Sequence, residues 1–196
     1  AAVGGAKVLL MEQDPSWGGR ALIDGGLVDG KSVEDFVAET INELKANDNV
    51  TLRTRMMGAG VYDHGYVLGY ERVADHMPTQ AGPRHRLWRI RACQIITATG
   101  AIERPLSFAG NDIPGVMLAA AVRDYVTGYG VSIGDRTVVV TNNDDAYRTA
   151  IALKIAGLEV PAIIDARATG GGALMEEAKS LGIRVEIGKG IAKVKG

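Results

Sequence analysis

Cysteine is almost missing from this chain: Cys93 is the only one in 196 residues. One thiol cannot close an internal disulfide, and it cannot supply the paired dithiol through which disulfide oxidoreductases pass electrons. No run of about 18 apolar residues occurs and no charged-then-apolar leader opens the sequence, so no membrane contact is expected and a reducing, cytoplasmic location is the default. The 3 histidines, His64, His76 and His85, are separated by turn residues and lack cysteine companions, so they have no metal-ligand spacing. Gly130-Val131-Ser132-Ile133-Gly134 has the Gly-x-Ser-x-Gly spelling, but it follows a helix pattern and precedes a strand, the reverse of the strand-to-helix context of a nucleophile elbow. The formal net charge of −1 provides no basic field for nucleic acid.

What is present is the composition of a folded chain, 46% hydrophobic and 23% charged, enough for one or two small units with a real core. The 26 glycines follow no period and mark tight loops. The chain is organised around residues 95–105, IITATGAIERP. A short apolar run that stops in Ala98-Thr99-Gly100 reads as a buried parallel strand, with Thr99 and Gly100 small enough for a flat ligand to approach. Pro105 forbids helix continuation and keeps Arg104 extended, which predicts a hinge between two units, 1–104 and 105–196.

Residues 6–12 read as a buried strand ending in Glu12. In a dinucleotide fold the second strand ends in an acid that bonds the adenosine ribose hydroxyls, roughly 20 residues after the glycine turn of the first. That count would put the first strand before Ala1, leaving residues 1–5 as the tail of its helix and both units as truncated Rossmann-like folds. Gly18 and Gly19 would let backbone amides approach phosphate oxygens, and Arg20 could add a bidentate charge. An ordinary strand-end acid and a solvated arginine are the structural alternatives. Residues 31–47 form a packing helix capped at Ser32. Residues 50–56 read as a strand, 66–70 and 88–92 alternate as an antiparallel meander, and 77–86 form an exposed link. Met57 falls where a strand would turn beside an adenine, although a plain core role is the commoner one for a methionine. Cys93, inside a strand pattern, is expected to be a small buried hydrophobe.

Residues 111–115 cap a helix over 116–129. Strands at 136–141, 160–164 and 183–187 then alternate with helices at 146–156 and 173–181, the rhythm of a second doubly wound unit, and residues 188–196 look like the start of a further strand pair. The fold class is therefore α/β, two interleaved Rossmann-like units of the FAD/NAD(P)-binding type plus a meander. The second phosphate turn, Thr141 to Ala146, keeps only the last small residue of Gly-x-Gly-x-x-Gly/Ala. Its side chains and two carboxylates would crowd and repel a pyrophosphate, so this unit is expected to bind nicotinamide nucleotide poorly. Asn143 or Asp144 as a helix cap explains the turn structurally.

The run TATGAIERPLSFAGNDIPGVMLAAAVR, residues 97–123, resembles the segment joining the two dinucleotide domains in glutathione-reductase-like flavoproteins. With TNNDDAYRTA, residues 141–150, it resembles specifically the alpha subunits of heterotetrameric sarcosine oxidases. The resemblance covers nearly all of this chain and only an interior part of that longer subunit. It implies a flavoenzyme complex that oxidises sarcosine with oxygen and folate, NAD held at the first site through Glu12, Gln13 and Arg20, and FAD and FMN on or next to a beta subunit, with further small subunits as partners. It implies no catalytic residue here. Two other readings stay open: a self-sufficient NAD(P)H/FAD reductase and a purely structural subunit.

Overall fold

The computed structural model describes residues 1–195, and the chain divides into two compact units between Thr99 and Gly100. In the first, β1 (Val8–Met11) lies parallel to β4 (Val50–Arg53), Val8 facing Val50 and Met11 facing Arg53. The crossover carries a four-residue helix α1 (Ala21–Asp24), a small hairpin of β2 (Leu27–Val28) and β3 (Lys31–Ser32), and helix α2 (Val33–Lys45). Helix α2 starts where expected because Ser32 Oγ accepts the Asp35 amide at 3.1 Å, with Glu34 and Asp35 in the positive first turn. The hairpin leaves no period in so short a stretch and was not anticipated.

The expected strand over 50–56 is interrupted. Arg55 adopts φ 55°, so the chain turns there and restarts as β5 (Met56–Tyr62), which pairs antiparallel with β6 (Tyr66–Arg72) and, through it, β7 (His85–Arg91). Met56 and Val67 are buried. At Gly69 the meander packs against Met56 and Met11: a Cβ there would lie 2.3 Å from Met56 Cε and 3.5 Å from Met11 Sδ, so a larger residue must displace the Met56 methyl group.

Two expectations fail together. Residues 95–98 form no strand, Ile96 is 85% exposed, and Cys93 is exposed instead of buried. Among the described residues β1 pairs with β4 alone, so the 95–98 run has no strand beside it with which to form a ladder.

In the second unit, three parallel strands take the order β10–β9–β8: β8 (Val139–Thr141), β9 (Ala162–Asp165) and β10 (Arg184–Ile187). Helices α4 (Asp145–Ile155) and α5 (Gly172–Ser180) connect them in a β-α-β-α-β path. The core gathers Val122, Tyr147, Leu153, Val160, Ile163 and Ile183, each worth about 1.5–3 kcal/mol when fully buried. The single helix expected over 116–129 is instead α3 (Ala119–Arg123) followed by a π-helical turn, Asp124–Gly128; Leu118 is still extended, which delays the start. The strand expected from 136 shortens to β8, Arg136 making only an isolated bridge to Glu159. Near the end, Lys193 bridges Ala109; residue 196 of the expected terminal strand pair lies outside the described residues.

Candidate functional site

The chain leaves β1 through Glu12, and three carbonyls fix the path of the loop that follows. Glu12 O accepts the Met56 amide at 2.8 Å, Gln13 O accepts the Arg72 guanidinium at 2.6 Å, and Asp14 O accepts the Arg55 amide at 2.9 Å. Arg55 is held in turn by Asp75 at 2.6 Å, and that guanidinium draws the Asp75 carboxyl down to about 2. The meander thus clamps the β1 loop. The sequence does not show Arg55 and Arg72 as site-builders, because the backbone carbonyls that they organise carry no sequence signal.

Within the clamp, Glu12 Oε1 accepts the Asp14 amide at 2.9 Å, which orients the half-buried carboxylate at the C-terminal end of the strand. Further along, Gly18 has φ 114°, and a Cβ there would meet Leu22 Cγ at 2.9 Å. Gly19 has φ 51° with open space where a Cβ would stand. Arg20 caps α1 and pairs with Asp24 at 3.0 Å, so its guanidinium is engaged within its own helix. Met57, 46% exposed, is the second residue of β5, one beyond the amide bonded to Glu12 O. The structure therefore brings Glu12, Gln13 and the Met57 backbone together and places Gly18, Gly19 and Arg20 on the same loop. Thr99 and Gly100 are exposed at the junction between the units, Gly100 at φ 71°.

The corresponding place in the second unit is built differently. Thr141 Oγ1 donates to Asn143 O at 2.9 Å and accepts the Asn143 amide at 3.0 Å; Asn143 Oδ1 then accepts the amides of Asp145 and Ala146 at 3.0 and 3.4 Å. Asn143 is thus the side-chain cap of α4. Arg123, 1% exposed, donates to Asp145 O and Oδ2 at 3.0 and 2.9 Å. Asp165, 1% exposed at the end of β9, takes Arg167 at 2.7 Å and the Tyr147 hydroxyl at 2.9 Å. Arg167 pulls the Asp165 carboxyl down to about 2, while burial and then that carboxylate push the Tyr147 hydroxyl up to about 12. Among the described residues no group of three His, Cys, Asp or Glu side chains could hold a metal, and no helix is long and apolar enough to cross a membrane.

No protein-family model matches the chain. It is 43% identical over 169 residues to the sarcosine oxidase subunit alpha of Rhizobium meliloti (strain 1021), covering 85% of this chain and 17% of that protein. It is also 43% identical over 189 residues to the sarcosine oxidase subunit alpha of Corynebacterium sp. (strain P-1), covering 94% of this chain and 19% of that one. The chain thus spans about a fifth of the length of these curated relatives. In structure it is similar to T. acidophilum thioredoxin reductase, with a TM-score of 0.63 at 16% identity, over 100% of this chain and 60% of that one. That likeness shows the two-dinucleotide-domain fold, both units included.

Proposed function

We propose that this chain, homologous over most of its length to sarcosine oxidase alpha subunits, is the nucleotide-holding scaffold of an oxidoreductase complex that oxidises sarcosine or a similar N-methyl amino acid. The first unit would hold NAD by its adenosine side. Glu12 accepts from the ribose hydroxyls, Gln13 and the Met57 backbone flank the adenine, and Gly18, Gly19 and Arg20 line the pyrophosphate side. Thr99 and Gly100 leave room for the flat end of the ligand.

The observation that carries this reading is the state of Glu12. Its carboxylate is oriented by a backbone amide and no arginine pairs with it among the described residues, so it still has accepting capacity for hydroxyls. The clamp of three carbonyls holds that acid on a rigid element, as a binding constellation requires. The residues present therefore fit an adenosine ribose. A flavin on or next to a beta subunit would supply the hydride acceptor for amine oxidation. This chain's own side chains bind, orient and shield, and none is assigned a proton or electron transfer.

A reductase that takes NAD(P)H at the second unit is disfavoured by the side chains that fill the Thr141–Asp145 turn. The test is mass-spectrometric identification of small molecules released by acid from the protein at its natural length, with E12Q alongside. NAD at about one per chain, reduced at least about tenfold in occupancy by E12Q, supports the reading. FAD in its place favours the self-sufficient reductase, and no nucleotide favours a structural subunit.

A further inference from the structure

An open parallel sheet binds ligands outside the C-terminal ends of its strands, where the connections diverge. In the second unit those ends are Thr141 and Asp165, and the chain bridges the space beyond them with its own charges. Asp144 Oδ1 accepts Arg167 Nη2 at 2.7 Å and the Gly171 amide at 2.9 Å. Arg167 also reaches Asp165, Nε to Oδ1 at 3.0 Å and Nη2 to Oδ2 at 2.7 Å. The Gly171 amide can join this arrangement because the residue has φ 81° and a Cβ there would lie 2.5 Å from Met175 Cβ.

A guanidinium and a glycine amide converging on one anion are the donors that proteins present to phosphate groups. Here the anion comes from the turn between β8 and α4. We infer that Asp144 is a specificity-determining residue: an internal anion that occupies the phosphate donors of the second unit and excludes dinucleotides from it.

A carboxylate tethered this close competes at an effective concentration of about millimolar or higher, so a free phosphate must displace a partner that never diffuses away. Asp165 is committed to Arg167 and Tyr147, which removes the acid that would otherwise meet a ribose. Loss of the glycine turn alone would hinder a ligand sterically; the Asp144 bridge adds a charged competitor at the same donors. The inference stands on the second unit and does not require a nucleotide at Glu12.

The test is an NADH titration followed by fluorescence and calorimetry on the whole chain, comparing wild type, N143G and N143G/D144A. The wild type shows one site if the first unit binds and none if that reading fails. In either case the double variant is expected to gain one further site at about 0.1 mM or tighter, whereas N143G alone gains none. A double variant with no added site, or N143G gaining the site by itself, overturns the inference. If the double variant does not fold, N143G/D144N opens the same turn, keeps an oxygen for the Gly171 amide and removes the charge. It is expected to bring an added site within about tenfold of the same range, and unchanged binding overturns the inference.

Discussion

Asp165 offers the sharpest test of how the second unit is held together. Its carboxyl falls from an ordinary 3.8 to about 2, first because Arg167 donates to it, with the Arg167 amide and the Tyr147 hydroxyl adding their bonds against the cost of burial. A depressed carboxyl contributes stability above its unfolded value, and that contribution is lost as pH falls through the folded value. The window is therefore pH 4 to 2. The shift corresponds to about 2 kcal/mol at neutral pH. Asp144 is shifted in the same direction, but its side chain is 54% exposed and solvent screens its share.

Asp165→Asn removes the charge and leaves an oxygen for the Tyr147 hydroxyl, while Arg167 keeps Asp144. At pH 7 the variant is expected to be about 2 kcal/mol less stable than wild type, and the difference should shrink toward zero near pH 2. Urea unfolding followed by far-UV circular dichroism at pH 7, 5, 3 and 2 measures this. Both tryptophans, Trp17 and Trp88, belong to the first unit, so their fluorescence is an internal control for the other half. A stability difference that stays constant across that range would refute the reasoning, because the carboxylate's charge would then not be what Arg167 stabilises.

Leu153→Ala empties a fully buried position in the second core and is expected to cost about 2–5 kcal/mol, read as a lowered urea midpoint by circular dichroism, with the tryptophan fluorescence midpoint of the first unit unmoved. Gly65→Ala puts a Cβ 1.9 Å from Ala92 O at φ 68°, so the β5–β6 turn must open. A loss of more than about 1 kcal/mol is expected, together with faster amide exchange in β6 and β7; unchanged exchange would mean that the turn relaxes freely.

The sequence shows elements whose signal is local and hides those whose cause is a distant partner. The strand at Val8–Met11, the Ser32 cap and the alternation of β-α-β-α-β in the second unit rest on period and capping chemistry, and they appear where expected. The 95–98 run has the composition of a buried strand, but a strand is a pairing, and composition cannot supply the neighbour. The same reason exposes Cys93. The phosphate turn was legible as degenerate from its residues. The use made of Asp144 was not, since Arg167 and Gly171 are 23 and 27 residues away and meet it only when β8 and β9 align.

Glu12 and Asp165 stand in similar places, each an acid at the C-terminal end of a parallel strand from which a crossover leaves. Their surroundings are opposite. Glu12 is half-buried and touched by one neutral amide, while Asp165 is 1% exposed and bonded to a guanidinium, an amide and a phenol. A carboxylate satisfied by a guanidinium gains little from exchanging it for neutral hydroxyls, because charge-assisted bonds are roughly twice as strong as neutral ones. One accepting a single amide gains from each hydroxyl that it recruits. On these donor counts the first acid suits the ligand binding proposed for it and the second suits a structural role, and a single exchange, Arg167→Leu, should begin to reverse the count at Asp165.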